Sequence, residues 1–441
     1  MLFAIRTQKG RCKRMMQFKV QKLFGRFNYD LQLNKEGLTI LTGPNGFGKS
    51  TILKCIEALS KGVLGVSYYF TLDFEKIEVI LENYKITIQK KKDNIFINEI
   101  KFSKKQFENM VTHLDRRPYM RRVDKDTWID IRNGNYITTN DYFKEIYSDD
   151  EESLYVLNEN GFSGLVEEMK KISMYIGTIY FIREQRLIAE KHNHRTEKKM
   201  VNVINQLPDK FRELVLKLSN DYSIVANKLD STYPNRLFSN EEKINEEEYR
   251  KKMFIMDEKF EKLNKYDLSN TQKSEGVVFK EEHAKALKIY FDDFDEKYKV
   301  YEDLINKLDM YTEIINSRLK FKNIKISRND GITIVDSENE EKTIPLNKLS
   351  SGEKQEIVLF YELIFESGDN GLLLIDEPEI SLHIAWQKMF MDDLLRIVKY
   401  KGINVIVATH SPQIINNHWE RQIDLGEIYG GEIHGEQFDK K

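Results

Sequence analysis

Cysteine is nearly absent from this sequence: Cys12 and Cys55 are the only two among 441 residues. They supply neither a disulfide framework nor a CxxC pair, and such scarcity suits a reducing cytosol. Long apolar runs are also missing. Purely aliphatic stretches such as Leu372–Ile375 fall far short of the roughly 20 residues a membrane span needs, so no membrane partner is expected. The basic start, Met1–Arg14, lacks the apolar core of a signal peptide, and a cytoplasmic location is expected. Charge of one sign is missing too. With 69 basic and 71 acidic residues, no global field draws the chain onto nucleic acid, which leaves only a local basic groove for that role. What is present, 40% hydrophobic and 32% charged residues, describes a globular protein of more than one domain.

Met15 and Met16 precede the first patterned strand, so residues 1–14 are set aside as a non-structural start. Alternating runs at Phe18–Phe24, Phe27–Leu33 and Leu38–Leu41 predict strands, and a helix is expected from Lys49 to Lys61. Further alternation at Val66–Phe74, Ile77–Leu81, Tyr84–Gln89 and Asn94–Ile100 predicts an antiparallel patch. Residues 115–160 read as an irregular insertion in which Arg116, Arg117, Arg121 and Arg122 crowd around Pro118, either as a solvated loop or as an anion-contacting patch. Thr178–Ile182 predicts another strand, after which apolar residues recur at three- and four-residue steps. The run Leu287, Phe291, Phe294, Tyr298, Tyr301, Ile305, Leu308, Thr312, Ile315 and Leu319 is a heptad seam, giving a helix of roughly 50 Å. Its aromatic positions favour a short lobe over a long regular coil, and no cysteine at its tip offers a zinc hook. Strands are expected again at Phe321–Ser327, Gly331–Val335, Leu372–Ile375 and Ile403–Ala408, with helices after Ser351 and Leu382.

Five segments carry chemistry. Gly43-Pro44-Asn45-Gly46-Phe47-Gly48-Lys49-Ser50-Thr51 fits GxxxxGK[ST] between a strand and a helix, the setting in which backbone N–H groups cradle phosphates. Lys49 would reach the terminal phosphates of ATP, and Ser50 would ligate Mg²⁺. Leu372-Leu-Leu-Ile-Asp376-Glu377-Pro378 ends a buried strand in two acids, which calls for a cation and a reacting water. Asp376 would hold the metal and Glu377 would act as base, the lesser alternative being that Asp376 or Glu379 simply caps a helix. Ser350-Ser351-Gly352 opens a helix, either as an N-cap or as an anion site. His410 follows the last strand, where a γ-phosphate sensor would stand, and Gln185 after its own strand could coordinate Mg²⁺ and the lytic water.

In chain order, the P-loop, Ser350-Ser351-Gly352, Asp376-Glu377 and His410 together resemble the ABC-type ATPases of the SMC, RecF and OLD group. Gly43–Ser50 is similar to Walker A, Leu349–Gln355 to the signature loop, Asp376–Glu377 to Walker B, and His410 to the switch histidine. The resemblance covers Phe18 to about Lys61 and Asn347–Ile415. The signature reads Ser350-Ser351-Gly352-Glu353, and the following loop Glu379-Ile-Ser-Leu-His383 carries His where transporters carry Asp. Both departures are similar to the stand-alone ATPases of phage-defence modules of Septu and retron type, without a fused Toprim nuclease.

The resemblance implies an α/β P-loop ATPase head, with a mixed sheet, an antiparallel β patch and an inserted helical lobe. It assigns 15–190 and 321–441 to the head and 191–320 to the lobe. It implies catalysis by Glu377, His410 and Gln185. Nucleotide contacts would come from 43–51 and 350–352, and metal contacts from Ser50, Asp376 and Gln185. It also implies an ATP-dependent homodimer that controls a separate nuclease or toxin. The competing reading is a RecF- or SMC-like ATPase that binds DNA directly. A transporter motor is disfavoured by the helical excursion of more than a hundred residues before the signature.

Overall fold

The computed structural model describes residues 15–34, 36–109, 118–123, 127–132, 134–138, 163–184, 186–192, 198–239, 241–269, 278–380 and 382–430. Gln185, residues 1–14 and the arginines at 116 and 117 lie outside them. No helix among the described residues is long and apolar enough to cross a membrane. Two compact units make up the chain: Met1–Arg186 with Glu190–Met200 and Glu366–Lys441, and Leu187–Ala189 with Val201–Phe365.

The first unit is built on a five-stranded parallel sheet in the order Ile179–Ile182, Leu372–Asp376, Asn404–Ala408, Leu38–Thr42 and Gln422–Asp424. Strands Leu372–Asp376 and Leu38–Thr42 are buried along their whole length, as expected of parallel strands covered on both faces. The register aligns their ends: Asp376 lies beside Ala408, and Ala408 beside Leu41. The carboxyl ends of three central strands therefore stop level with one another, and segments far apart in sequence meet there.

A second, antiparallel sheet runs Phe27–Gln32, Met15–Leu23, Lys76–Leu81, Tyr84–Lys91, Asn94–Ile97 and Ile100–Ser103. Strand Lys76–Leu81 alternates buried and half-buried residues, the sign of one face on the core. The expected single run Asn94–Ile100 is broken by Asn98 and Glu99, both at positive φ, into two strands of a hairpin.

Val66–Phe74 is a correction. The segment Gly62–Thr71 is a helix, with Val63, Val66 and Tyr69 buried at three-residue spacing. Gly65 explains why: a Cβ there would stand 1.8 Å from the Ala58 carbonyl oxygen, so glycine lets this helix approach Lys49–Ser60 closely. The Tyr69 hydroxyl then donates to the Cys55 carbonyl at 2.7 Å. Helix Ser163–Ile176 is not anticipated by the sequence pattern, and its buried Val166, Met169, Ile172 and Ile176 join the same core. Inside the segment expected to be irregular, Met120–Arg122, Thr127–Asp130 and Asn135–Thr138 form a small antiparallel sheet. Arg122 stacks over Trp128 there, with 5.2 Å from guanidinium to ring centroid.

The second unit holds two 33-residue helices, Leu207–Ser239 and Ala284–Asn316, with Glu246–Lys265 between them. Seam residues Tyr298, Tyr301, Ile305, Leu308 and Ile315 are buried, as the heptad pattern predicts. The hairpin Lys322–Ser327/Gly331–Asp336 and the helix Ser351–Tyr361 belong to this unit, although the sequence places 321–365 with the head. Side-chain chemistry accounts for the difference. Tyr311 donates to the Ile357 carbonyl at 3.0 Å, Arg318 and Glu356 form a fully buried ion pair, and Asn316 bonds both backbone groups of Ile324.

Candidate functional site

The loop after strand Leu38–Thr42 turns on glycines. Gly48 caps the helix Lys49–Ser60 at φ +92°, a left-handed conformation that favours glycine, and a Cβ there would meet Leu23 Cδ2 at 2.8 Å. Gly46, at φ +83°, has open space where its Cβ would be, leaving that stretch of backbone approachable. The first-turn N–H groups of Lys49, Ser50 and Thr51 have no intrahelical acceptor, which makes this helix end an anion site. Phe47 contributes backbone to the loop while its ring anchors it, 5.1 Å from Phe27 and 5.8 Å from Tyr429. Its carbonyl accepts from the Tyr29 hydroxyl at 2.9 Å. Pro44 and Asn45 are exposed.

Strand register brings the remaining residues to this loop. Ser50 Oγ donates to Asp376 Oδ1 at 2.8 Å. The buried Lys49 ammonium donates to the carbonyl of Gly43 at 2.9 Å and to His410 Nε2 at 2.6 Å. His410 Nε2 also lies 3.2 Å from Glu377 Oε1. Lys49, Ser50, Asp376, Glu377 and His410 thus form one cluster at the carboxyl edge of the parallel sheet, the usual place for ligands in an α/β fold.

Burial sets the electrostatics of this cluster. It lowers the Lys49 pKa against the pull of Glu377 and Asp376, and raises that of Asp376. Burial first, and then the neighbouring Glu379, push the Glu377 carboxyl up to about 8. Burial and the adjacent Lys49 charge lower the His410 pKa, favouring a neutral ring that accepts from the ammonium. A phosphate-bound divalent cation is what such a cluster suits. Ser50 and Asp376 present hard oxygen donors of the kind Mg²⁺ takes, and their 2.8 Å contact puts both within reach of a single ion.

Other expected residues stand elsewhere. Ser350, Ser351 and Gly352 belong to the second unit, at the start of helix Ser351–Tyr361. Ser350 is its N-cap in a full capping box: its hydroxyl accepts from the Glu353 N–H, and Glu353 Oε2 accepts from the Ser350 N–H at 2.8 Å. Lys322 holds the other oxygen of Glu353 at 2.7 Å. Neither Asp376 nor Glu379 caps the next helix, whose cap is His383, with Nδ1 accepting from the Ala385 N–H at 3.3 Å. Gln185 lies outside the described residues.

Two features escape the sequence. Asp424, on the last strand, accepts from the Thr42 hydroxyl at 2.8 Å and the Gly426 N–H at 2.7 Å, bracing the base of the loop. Phe24 presents a partly exposed ring against Gly48. An aromatic followed by glycine some 25 positions before Lys49 is the only signal of it.

Among known proteins, the chain is similar to "Retron Ec83 probable ATPase" of Escherichia coli, at 28% identity over 147 residues, 30% of this chain and 26% of that protein. It is 21% identical over 397 residues to the "Spermidine/putrescine import ATP-binding protein PotA" of Ureaplasma parvum serovar 3, covering 87% of this chain and 65% of that one. The chain thus spans about a quarter of the first relative and under two thirds of the second. Among solved structures, the Smc head domain with an extended coiled coil, bound to the C-terminal domain of ScpA from Pyrococcus furiosus, aligns over 93% of this chain and 92% of that one. Its TM-score is 0.37 at 13% identity. A family model described as "AAA ATPase domain" matches residues 22–415, and with most of its length inside that match the chain belongs to the AAA ATPase domain family.

Proposed function

We propose that this ATPase acts as a cytoplasmic homodimer around two shared nucleotides, as the sensor of an anti-phage defence system that controls a separate nuclease or toxin. The observation behind the dimer is the division of motifs. Lys49, Ser50, Asp376, Glu377 and His410 cluster in the first unit, whereas Ser350–Gly352 open a helix of the second. A site that needs both sets can draw the second from another copy of the chain. Lys49 would meet the terminal phosphates, Ser50 and Asp376 would hold Mg²⁺, Glu377 would polarise water, and His410 would meet the γ-phosphate. Bound Mg²⁺ would supply charge neutralisation at the phosphates. Support for the defence role comes from the similarity to the retron ATPase over 30% of this chain.

Mixed protomers test the shared site. Lys49→Ala and Ser350→Arg chains should each be inactive alone. Their heterodimer pairs one doubly damaged site with one intact site, so phosphate release should return on mixing. Mixtures that stay silent despite demonstrated subunit exchange would exclude it. For the defence role, cells expressing this chain with its neighbouring genes should resist infection, and Lys49→Ala should abolish that resistance.

A further inference from the structure

Glu379 stands beside the clustered residues, where it helps raise the Glu377 carboxyl, and its own carboxylate is heavily engaged there. Its Oε1 accepts from the Thr409 hydroxyl at 2.7 Å, the His410 backbone N–H at 2.7 Å and the Ser411 backbone N–H at 3.0 Å. Hydrogen bonds to an ionised acceptor are roughly twice as strong as neutral ones. Its second oxygen, Oε2, is buried without a donor among the described residues, and the carboxylate also faces Glu377, whose pKa it raises.

Two weaker ties run alongside. The Glu377 N–H donates to the Ala408 carbonyl at 2.9 Å. Gln387 Nε2 donates to the Leu382 carbonyl at 3.0 Å, while its Oε1 accepts from the Ser411 hydroxyl at 2.7 Å. Of these three residues, Glu379 alone grips the backbone of His410 itself. The His410 ring sits 2.6 Å from Lys49 Nζ and 3.2 Å from Glu377 Oε1, so a turn of the loop would carry it away from both.

We propose that Glu379 is a positioning residue for ATP turnover: its carboxylate fixes the Thr409–Ser411 backbone so that the His410 ring stands at the reacting end of the nucleotide. The proposal rests on reading His410 as the group that meets the terminal phosphate. Glu379 itself stays off the nucleotide, so its loss should move kcat and leave binding alone. A misplacement of about 1 Å at a reacting group is worth on the order of a hundredfold in rate.

The test measures phosphate release and Mg-ATP affinity on the full chain for Glu379→Ala, Glu379→Gln, His410→Ala and the Glu379→Ala/His410→Ala double variant. Glu379→Ala should lower kcat about ten- to a hundredfold, with the Kd for Mg-ATP within about twofold of the parent. Glu379→Gln, whose amide oxygen still accepts from the same three donors, should keep kcat within about threefold. The double variant should be no slower than His410→Ala, because the two residues act as one unit. A parent-like kcat for Glu379→Ala beside a slow His410→Ala would overturn the proposal, as would losses that multiply in the double variant. A parent-like kcat for His410→Ala would instead remove the reading of His410, and the proposal with it. If Glu379→Ala does not fold, Glu379→Asp, one methylene too short to hold all three donors, carries the same alternatives.

Discussion

The hydroxyl of Ser50 donates to the carboxylate of Asp376 at 2.8 Å across 326 residues of sequence. One group opens the P-loop helix and the other ends a buried strand, and together they offer the two protein oxygens a metal-bound nucleotide would need. Asp376→Asn should therefore weaken binding of ATP in the presence of Mg²⁺ while leaving the metal-free affinity nearly unchanged. Titration with and without EDTA distinguishes the two. Equal losses in both conditions would assign Asp376 a purely structural role.

Lys49→Ala should abolish tight ATP binding. Lys49 is the flexible cation that the P-loop holds, already set between the Gly43 carbonyl and His410. Calorimetry reads the outcome. An affinity within about twofold of the parent, under ~0.4 kcal/mol, would end its assignment as the phosphate-binding lysine.

Glu377→Gln should bind Mg-ATP normally and turn it over at least about a hundredfold more slowly, because an amide of the same size polarises water poorly. The raised pKa of Glu377 adds a pH signature in the nucleotide-free protein. A carboxyl whose folded pKa lies above its unfolded value destabilises the fold increasingly as pH rises from the unfolded to the folded pKa. Glu377→Gln should thus melt higher than the parent, with a gap that widens as pH rises from about 4.5 towards 8. A gap that is constant with pH would refute the burial account.

In the second unit, the Arg318–Glu356 pair is buried on both sides, and the Arg318 guanidinium lies 4.9 Å from the Phe360 ring centroid. Removing one partner strands the other charge, at about 3–5 kcal/mol. Glu356→Ala should therefore destabilise this unit severely. Replacing both residues by apolar ones of similar volume should restore most of the loss. Denaturant unfolding of the three variants checks this, and a double variant as unstable as the single would exclude it.

The parts of this fold that are legible in the sequence are those whose residues face a single environment. Leu372–Asp376 and Asn404–Ala408 are unbroken apolar runs because parallel strands are covered on both faces, and the seam of Ala284–Asn316 repeats faithfully. Gly62–Thr71 misleads because β-branched and aromatic residues alternate there, while the close approach of Gly65 to Ala58 decides for a helix. Helix Glu246–Lys265 is too polar to show a stripe, although Asn245 and Glu248 carry its capping box. At the site, the P-loop and the Asp-Glu pair announce themselves by spacing. The grip of Glu379 on the His410 loop does not, because its partners lie about thirty residues away and are ordinary backbone groups.

The strand Leu38–Thr42 has consequences for how the protein comes into being. Both of its sheet neighbours, Asn404–Ala408 and Gln422–Asp424, arrive near the far end of the sequence, and the Thr42–Asp424 bond spans 382 residues. Closing so long a loop is slow compared with forming the local helices of the second unit. A growing chain therefore displays its P-loop sequence long before it owns a nucleotide pocket. On the ribosome the second unit can consolidate first, and the ability to bind ATP arises only after the strand Gln422–Asp424 has been made.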